Sequence, residues 1–152
     1  EVAVAIRALL DENFLGAYHL DWATSQAEAM TILERGKVSI IVSETRVDGE
    51  DVTPFLKTLK HFHAQIVTIV LTSFSDTSLL TDLINQGQIH RFLPKPMRKT
   101  LTVRSIRSGI DRHREIVQRP QLSLRHRVEP PRATVNHSMI SRIRGIFHRV
   151  SI

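Results

Sequence analysis

Three polar side chains follow three apolar segments of the chain, namely Glu44 after residues 38–43, Thr72 after residues 66–71 and Lys95 after residues 89–94. If the segments are parallel strands, a carboxylate, a hydroxyl and an ammonium meet where loops converge on a crevice at the strands' carboxyl ends. Chemistry is therefore expected at Glu44. The alternative is that Glu44 is only the first polar residue after a core strand.

The segment that carries Glu44 has four β-branched residues in seven positions, which predicts a strand over residues 38–44 that is buried on both faces. Ser25 with Glu28 three residues later predicts a capping box at a helix start. The predicted helices cover residues 1–14, 26–36, 51–60, 76–85 and 97–117, and the other predicted strands cover residues 18–23, 66–71 and 89–93. This alternation predicts an α/β fold, a doubly wound parallel sheet with helices on both faces.

The positive charge of the chain is unevenly distributed. Residues 1–117 hold 14 Lys+Arg and 14 Asp+Glu, whereas residues 118–152 hold seven Arg and one acidic residue, Glu129. The net charge of +6 therefore comes from the tail and does not indicate that the folded domain binds nucleic acid. No apolar run is long enough to span a membrane, and with no Cys in the chain we expect a cytoplasmic protein.

Three motifs in order resemble the receiver domain of response regulators, the chemotaxis-type phosphoacceptor fold of two-component signalling. They are residues 43–51 (SETRVDGED), 70–76 (VLTSFSD) and 91–96 (RFLPKP). The resemblance covers residues 1–117 and implies a receiver, or flavodoxin-like, fold. It places Glu44 at the phosphoacceptor position, Thr72 and Phe92 at the switch positions, and Lys95 with Pro96 at the family's lysine and its cis-type Lys-Pro bond.

Two departures from the family pattern suggest a degenerate receiver, or pseudo-receiver. Glu44 replaces the phosphoacceptor Asp; its longer side chain spoils the geometry of attack and leaves a permanent negative charge. We expect either an ion pair with Lys95 and a hydrogen bond from Thr72 that hold a partial on-state, or simple neutralisation of Lys95. The family's first strand, which lies inside the sheet and carries the acidic pair for Mg²⁺, should precede residue 1; residues 146–152 are a candidate replacement. Hence no cofactor is expected, and Mg²⁺ only if that strand supplies the acidic pair.

The resemblance implies a module that relays a signal through contacts with a histidine kinase or an output domain. Phe92 is expected either to switch or to be fixed in the core. A basic surface around it suits an acidic partner or a homodimer formed through the family's fourth helix, fifth strand and fifth helix; its residues are His90, Arg91, Arg98, Lys99, Arg104 and Arg107. Catalysis is not expected, because no catalytic motif is present. The eight His lack metal-ligand spacing, so no metal site is expected.

The C-terminal part differs in composition. Residues 118–136 contain three prolines and predict an extended linker, and residues 137–152 predict a basic amphipathic helix. This helix begins an output or dimerisation element, docks on the receiver or a partner subunit, or lies on a membrane surface. The alternative function for the whole chain is a stand-alone interaction or dimerisation module whose basic tail binds an acidic partner or nucleic acid.

Overall fold

The computed structural model describes residues 1–73, 81, 89–125 and 137–146. The helices are α1 (Val2–Asn13), α2 (Gln26–Glu34), α3 (Thr53–Phe62), α4 (Lys99–Gln118) and α5 (His137–Gly145), with a 3₁₀ helix at Pro120–Arg125. The strands are β1 (Ile40–Glu44), β2 (Arg46–Val47), β3 (Glu50–Asp51), β4 (Val67–Thr72) and β5 (Arg91–Pro94). The helix predicted over residues 76–85 falls almost entirely outside the described residues.

The main sheet is parallel and has the strand order β1-β4-β5. In its register Glu44 lies opposite Leu71 and Thr72 opposite Pro94, so the strands end at a common edge. Residues 67–71 of β4 are buried because strands flank β4 on both sides and helices cover both faces. The predicted α/β class and the predicted burial of this strand are confirmed.

The prediction that the Glu44 strand is buried on both faces is wrong. All five residues of β1 are half-buried. The physical reason is that β1 pairs with β4 along one edge only, and no described strand pairs with its other edge. The strand predicted over residues 18–23 is also absent, since no neighbouring strand offers it backbone partners. Tyr18 and Leu20 instead pack beside the α1 core.

Helices pack on both faces of the sheet, as the doubly wound prediction requires. On one face, Ile6 of α1 and Ile106 of α4 pack with Ile69. On the other face, Met30 of α2 and Leu59 of α3 belong to the cluster that includes Val70; these two side chains are at most 1% exposed. Helix α4 approaches the sheet closely at Gly109, where a Cβ atom would lie 3.3 Å from Ile40 Cδ1.

The predicted start of α2 at Ser25 is confirmed. The Ser25 hydroxyl accepts a hydrogen bond from the Glu28 backbone N–H at 3.2 Å. The Glu28 carboxylate reaches one residue further back than a capping box requires and accepts from the backbone N–H of Thr24 at 2.6 Å and its hydroxyl at 2.8 Å. These two hydrogen bonds lower the pKa of Glu28.

Helix α5 docks on α2 and α3, which is one of the alternatives predicted for the C-terminal segment. Ile143 and Ile146 are 0% and 3% exposed and join the core cluster of those helices. The Arg142 guanidinium makes a bidentate ion pair with Glu34, at 2.7 and 3.0 Å. The His63 side chain at the end of α3 donates from Nε2 to the Ile143 carbonyl, and burial lowers the pKa of His63. The contact is therefore both apolar and polar.

The segment between α4 and α5 is not extended throughout. Residues 120–125 form a 3₁₀ helix, contrary to the predicted extended linker, while residues 126–136 lie outside the described part. Pro120 at its start has the fixed φ that a tight helical turn requires, which explains why a proline here favours a turn. None of the described helices combines the length and hydropathy needed to cross a membrane. Residues 147–152, the candidate replacement strand with Ile146, are also outside the description.

Candidate functional site

The three polar residues predicted to form a site do meet at one edge of the sheet. Glu44 is the last residue of β1, Thr72 is the last residue of β4, and Lys95 directly follows β5. The Lys95 backbone N–H donates to the Thr72 carbonyl at 2.8 Å, which extends the β4–β5 ladder by one residue. The peptide bond between Lys95 and Pro96 is cis, as the family resemblance implies.

Glu44 and Lys95 form an ion pair across the edge. The Lys95 ammonium donates to Glu44 Oε1, and the two side chains are 35% and 39% exposed for Glu44 and Lys95, respectively. At this exposure a salt bridge is worth about 0.2–1 kcal/mol, because water screens both charges. The pair therefore adds little to the stability of the fold, and its main effect is to place a negative and a positive charge side by side at the carboxyl ends of the strands.

The hydroxyl of Thr72 does not complete the predicted arrangement. Thr72 is half-buried, and within the described residues its hydroxyl makes no hydrogen bond to Glu44. The neighbouring Ser43 hydroxyl donates to the Glu44 backbone carbonyl at 2.8 Å and leaves the carboxylate to Lys95. The carboxylate and ammonium are thus in direct contact, whereas Thr72 is connected to Lys95 through the backbone.

Phe92 lies in β5 opposite Val70 and points toward the core cluster of α2 and α3. It is half-buried and packs against that cluster. This partial burial agrees with both predictions for Phe92, namely a side chain that changes position and a side chain that is fixed by packing. The role of Phe92 as a switch remains a prediction.

The segment after Glu44 contains an element that the sequence analysis did not identify. Strands β2 and β3 form an antiparallel hairpin around Asp48 and Gly49, which have φ values of 53° and 77°. An Asp-Gly pair between two strands is a strong signal for such a two-residue turn, because both positions require positive φ. The hairpin leads directly into α3, where Asp51 Oδ1 accepts from the Thr53 N–H at 2.9 Å.

The described residues at this edge do not bring together a set of ligands that fits Mg²⁺. Glu44 supplies a carboxylate whose charge is paired with the Lys95 ammonium. In residues 1–73, 81, 89–125 and 137–146, no group of three or more His, Asp or Glu side chains converges as a metal site would require. Mg²⁺ needs several oxygen ligands in octahedral geometry, and one carboxylate paired with an ammonium does not supply them.

Much of the predicted basic surface is engaged within the chain. Lys99 pairs with Glu12, and Arg107 donates to the Asn13 carbonyl at 3.4 Å while its guanidinium lies 5.3 Å from the centre of the Phe14 ring. These contacts tie α4 to α1. The family's fourth helix, part of the predicted dimer face, corresponds to the helix predicted over residues 76–85, of which only residue 81 is described.

No family model matches the chain, and its similarity to a curated protein is limited. The chain is 27% identical over 107 residues to the hydrogenase transcriptional regulatory protein HoxA of Cupriavidus necator. The match covers 70% of this chain and 21% of the relative. The chain thus corresponds to about a fifth of that regulator's length.

Solved structures share the fold over most of the chain. The signal receiver domain of an HD domain-containing protein from Pseudomonas fluorescens Pf-5 superposes with a TM-score of 0.66 and 22% identity, covering 76% of this chain and 85% of that one. The adenylate cyclase structure from Rhodopirellula baltica superposes with a TM-score of 0.67 and 20% identity, covering 80% and 90%. At these identities the likeness shows the fold alone.

Proposed function

We propose that this chain, which has the receiver-domain fold of response regulators, is a signal-relay module that acts through protein contacts. Its partner is a histidine kinase or an output domain. The relay does not depend on phosphorylation at the phosphoacceptor-equivalent position, Glu44. The likeness of residues 1–117 to receivers and the similarity to a transcriptional regulator support this proposal.

The observation that carries the proposal is the ion pair between Glu44 and Lys95. A carboxylate that accepts a phosphoryl group must be free to attack in line, and its product must be stabilised by cations. Here the carboxylate already binds the ammonium that stands at the end of β5. The pair places a fixed negative charge beside Lys95. Glu44 therefore does not alternate between an unmodified and a phosphorylated form, as a phosphoacceptor would.

No catalytic activity is part of the proposal, and the chain is assigned to the cytoplasm as a component of two-component signalling. A homodimer through the basic surface would be compatible with the relay. Because Lys99 and Arg107 bind α1, the residues left for such a contact include Arg104 and Arg91.

Binding of nucleic acid or an acidic partner by the basic tail is not favoured as a second function. Both arginines of α5 make intramolecular contacts. Arg142 pairs with Glu34, and the Arg144 guanidinium lies 5.1 Å from the centre of the Phe62 ring. Phosphate binding by these side chains would require them to leave their present partners.

The test is phosphorylation by a small phosphodonor. The chain is incubated with acetyl phosphate and Mg²⁺, and intact mass is measured for the native protein, Glu44→Asp and the matched control Glu50→Asp. Glu50 is an exposed residue of the β2–β3 hairpin, so its change tests the chemistry without touching the edge. We expect no added phosphoryl group on the native chain or the control. A phosphoryl group gained by Glu44→Asp alone would identify the longer side chain of Glu44 as what prevents phosphorylation of the native chain.

A phosphoryl group on the native chain would contradict the proposal, and peptide mapping would then locate the acceptor. If no form gains mass, the chain is still independent of phosphorylation, but the length of the Glu44 side chain is not the cause. Addition to all three forms would indicate a modified residue away from Glu44.

A further inference from the structure

Basic side chains converge at the amino end of the sheet, opposite the edge that carries Glu44. We call this group the amino-end cluster; it consists of Lys60, His90, Arg91, Arg112 and His113. The first comes from the last turn of α3, the next two from the start of β5, and the last two from α4. Three separate parts of the chain therefore contribute to it.

Lys60 provides a partly buried ammonium in the cluster. Its Nζ lies 2.7 Å from the Ala64 carbonyl and 3.4 Å from the Ile66 carbonyl, just before β4. An ammonium has three N–H donors, so these two acceptors leave one donor for another partner. Burial lowers the pKa of Lys60 to about 8, and the positive charge of Arg112 contributes. The side chain thus lies close to a second cation, and among the described residues no carboxylate pairs with it.

The two histidines of the cluster are held in position by hydrogen bonds. His90 Nε2 is 2.9 Å from the Ser108 hydroxyl of α4, and His113 Nδ1 donates to the Gln65 carbonyl at 2.7 Å. Because His113 donates from Nδ1, its Nε2 remains for a further partner. Burial lowers the pKa of His90, and the charges of Arg91, Arg112 and Lys60 lower it further. The three cations therefore lie near enough to His90 to disfavour its protonation.

One carboxylate is found against the cluster within the described part of the chain. Glu115 accepts from Arg112 Nη1 at 3.2 Å, and the Glu115 side chain is 60% exposed. Arg91 makes no ion pair in the described residues. Among the described residues, the positive charge at this end of the sheet is consequently larger than the negative charge that faces it.

We infer that the amino-end cluster binds a small oxyanion of the phosphate class. Arg91 and Arg112 carry planar guanidinium groups that match phosphate oxygens, and Lys60 adds a donor and a point charge. A dianion placed among them would replace repulsion by attraction and would favour the protonated forms of Lys60 and His90. The inference does not depend on the Glu44 edge, because no residue of the cluster belongs to it. His90 and Arg91 are shared with the basic surface that is predicted for protein contacts.

The test measures the imidazole signals of the full chain by NMR during titration with inorganic phosphate. The ionic strength is held constant with sodium chloride, so that general screening does not change. We expect the His90 and His113 signals to move in a saturable way, with a dissociation constant of about 1 mM or lower. His19, an exposed residue 3.2 Å from Asp21, serves as the internal reference and should stay in place.

Matched arginine variants on α4 identify the site. Arg112→Gln should weaken phosphate binding about tenfold or more, the loss expected for a charge-assisted contact. Arg114→Gln removes an exposed arginine two residues away, whose partner Asp111 lies at 4.0 Å, and should leave the dissociation constant unchanged. Arg91→Gln is a second variant at an exposed position and should weaken binding in the same direction.

Two further anions distinguish the source of the phosphate. Phenyl phosphate that binds as well as inorganic phosphate would point to a phosphate ester, whereas binding of inorganic phosphate alone would point to the free ion. The inference is overturned if no saturation occurs, if chloride shifts His90 equally, or if Arg114→Gln weakens binding as much as Arg112→Gln. Those results would describe an adventitious ion only.

Discussion

Replacing Lys60 by Met should remove an increase in stability that the protein shows as the pH rises from about 8 to 10.5. The pKa of Lys60 is lowered from 10.5 to about 8 in the folded protein, chiefly by burial. Between these values the unfolded chain binds more protons than the folded chain, so the free energy of unfolding rises with pH. Below pH 8 both states are protonated and the cost of the buried charge is present in full.

The magnitude follows from the difference between the two pKa values. At 1.36 kcal/mol per pH unit, the shift from 10.5 to about 8 corresponds to about 3 kcal/mol. Partial contact with water reduces this figure, and about 2–3 kcal/mol is expected. The native protein should gain this amount between pH 7 and pH 10.5 relative to Lys60→Met.

The assay is urea unfolding followed by circular dichroism at intervals from pH 7 to pH 10.5. Lys37→Met, at an exposed position before β1, is the matched control and should follow the native profile. Loss of the hydrogen bonds from Lys60 to two carbonyls lowers the stability of Lys60→Met by an amount that varies little with pH. The change in the free energy of unfolding with pH therefore reports the titration of Lys60 separately from the loss of these hydrogen bonds. Parallel profiles for the native protein and Lys60→Met would refute the argument.

Two further substitutions test the helices. Ile143→Ala should lower the free energy of unfolding by about 2–5 kcal/mol, because Ile143 is 0% exposed where α5 meets α2 and α3. Ser141→Ala, exposed on the same helix, should change it by less than about 0.5 kcal/mol, and equal values for the two variants in urea unfolding would show that α5 is not docked. Ser25→Ala should cost about 1 kcal/mol by loss of the cap to Glu28, whereas Ser25→Asp should retain the cap in the same assay; equal losses in both would contradict the capping role.

Local signals predicted the elements whose stability depends on nearby residues. The run of β-branched residues before Thr72 predicted a buried strand, and β4 is buried because its position in the sheet agrees with that pattern. Ser25 predicted the start of α2 because capping involves residues three positions apart. The Asp48-Gly49 turn carried an equally local signal, which the sequence analysis did not use.

Strands whose burial depends on distant partners were predicted less well. Residues 38–44 have the composition of a doubly buried strand, but β1 is half-buried because, among the described strands, β4 alone pairs with it. The weak alternation of residues 18–23 predicted a strand that does not form. In both cases the side-chain pattern is typical of a strand, but the burial and pairing of a strand also depend on a neighbouring strand.

The docking of α5 could be predicted as one of several alternatives and no further. The spacing of Ile143 and Ile146 indicated an apolar face, but nothing in the sequence identified which surface would cover it. The bidentate contact between Arg142 and Glu34 joins residues more than 100 positions apart. Such a pairing follows from the packing of α5 on α2, because no periodic pattern connects the two segments.

The charged sites at the two ends of the sheet differ in how well the sequence predicts them. Glu44 and Lys95 could be paired from the sequence, because both follow strands and parallel strands end at one edge. The amino-end cluster could not, since Lys60, His90 and Arg112 belong to unrelated periodic patterns. All members precede residue 118, in the part of the chain whose Lys+Arg and Asp+Glu counts are equal. Balanced composition therefore conceals a local excess of positive charge, and phosphate binding should persist when the arginines of the tail are neutralised.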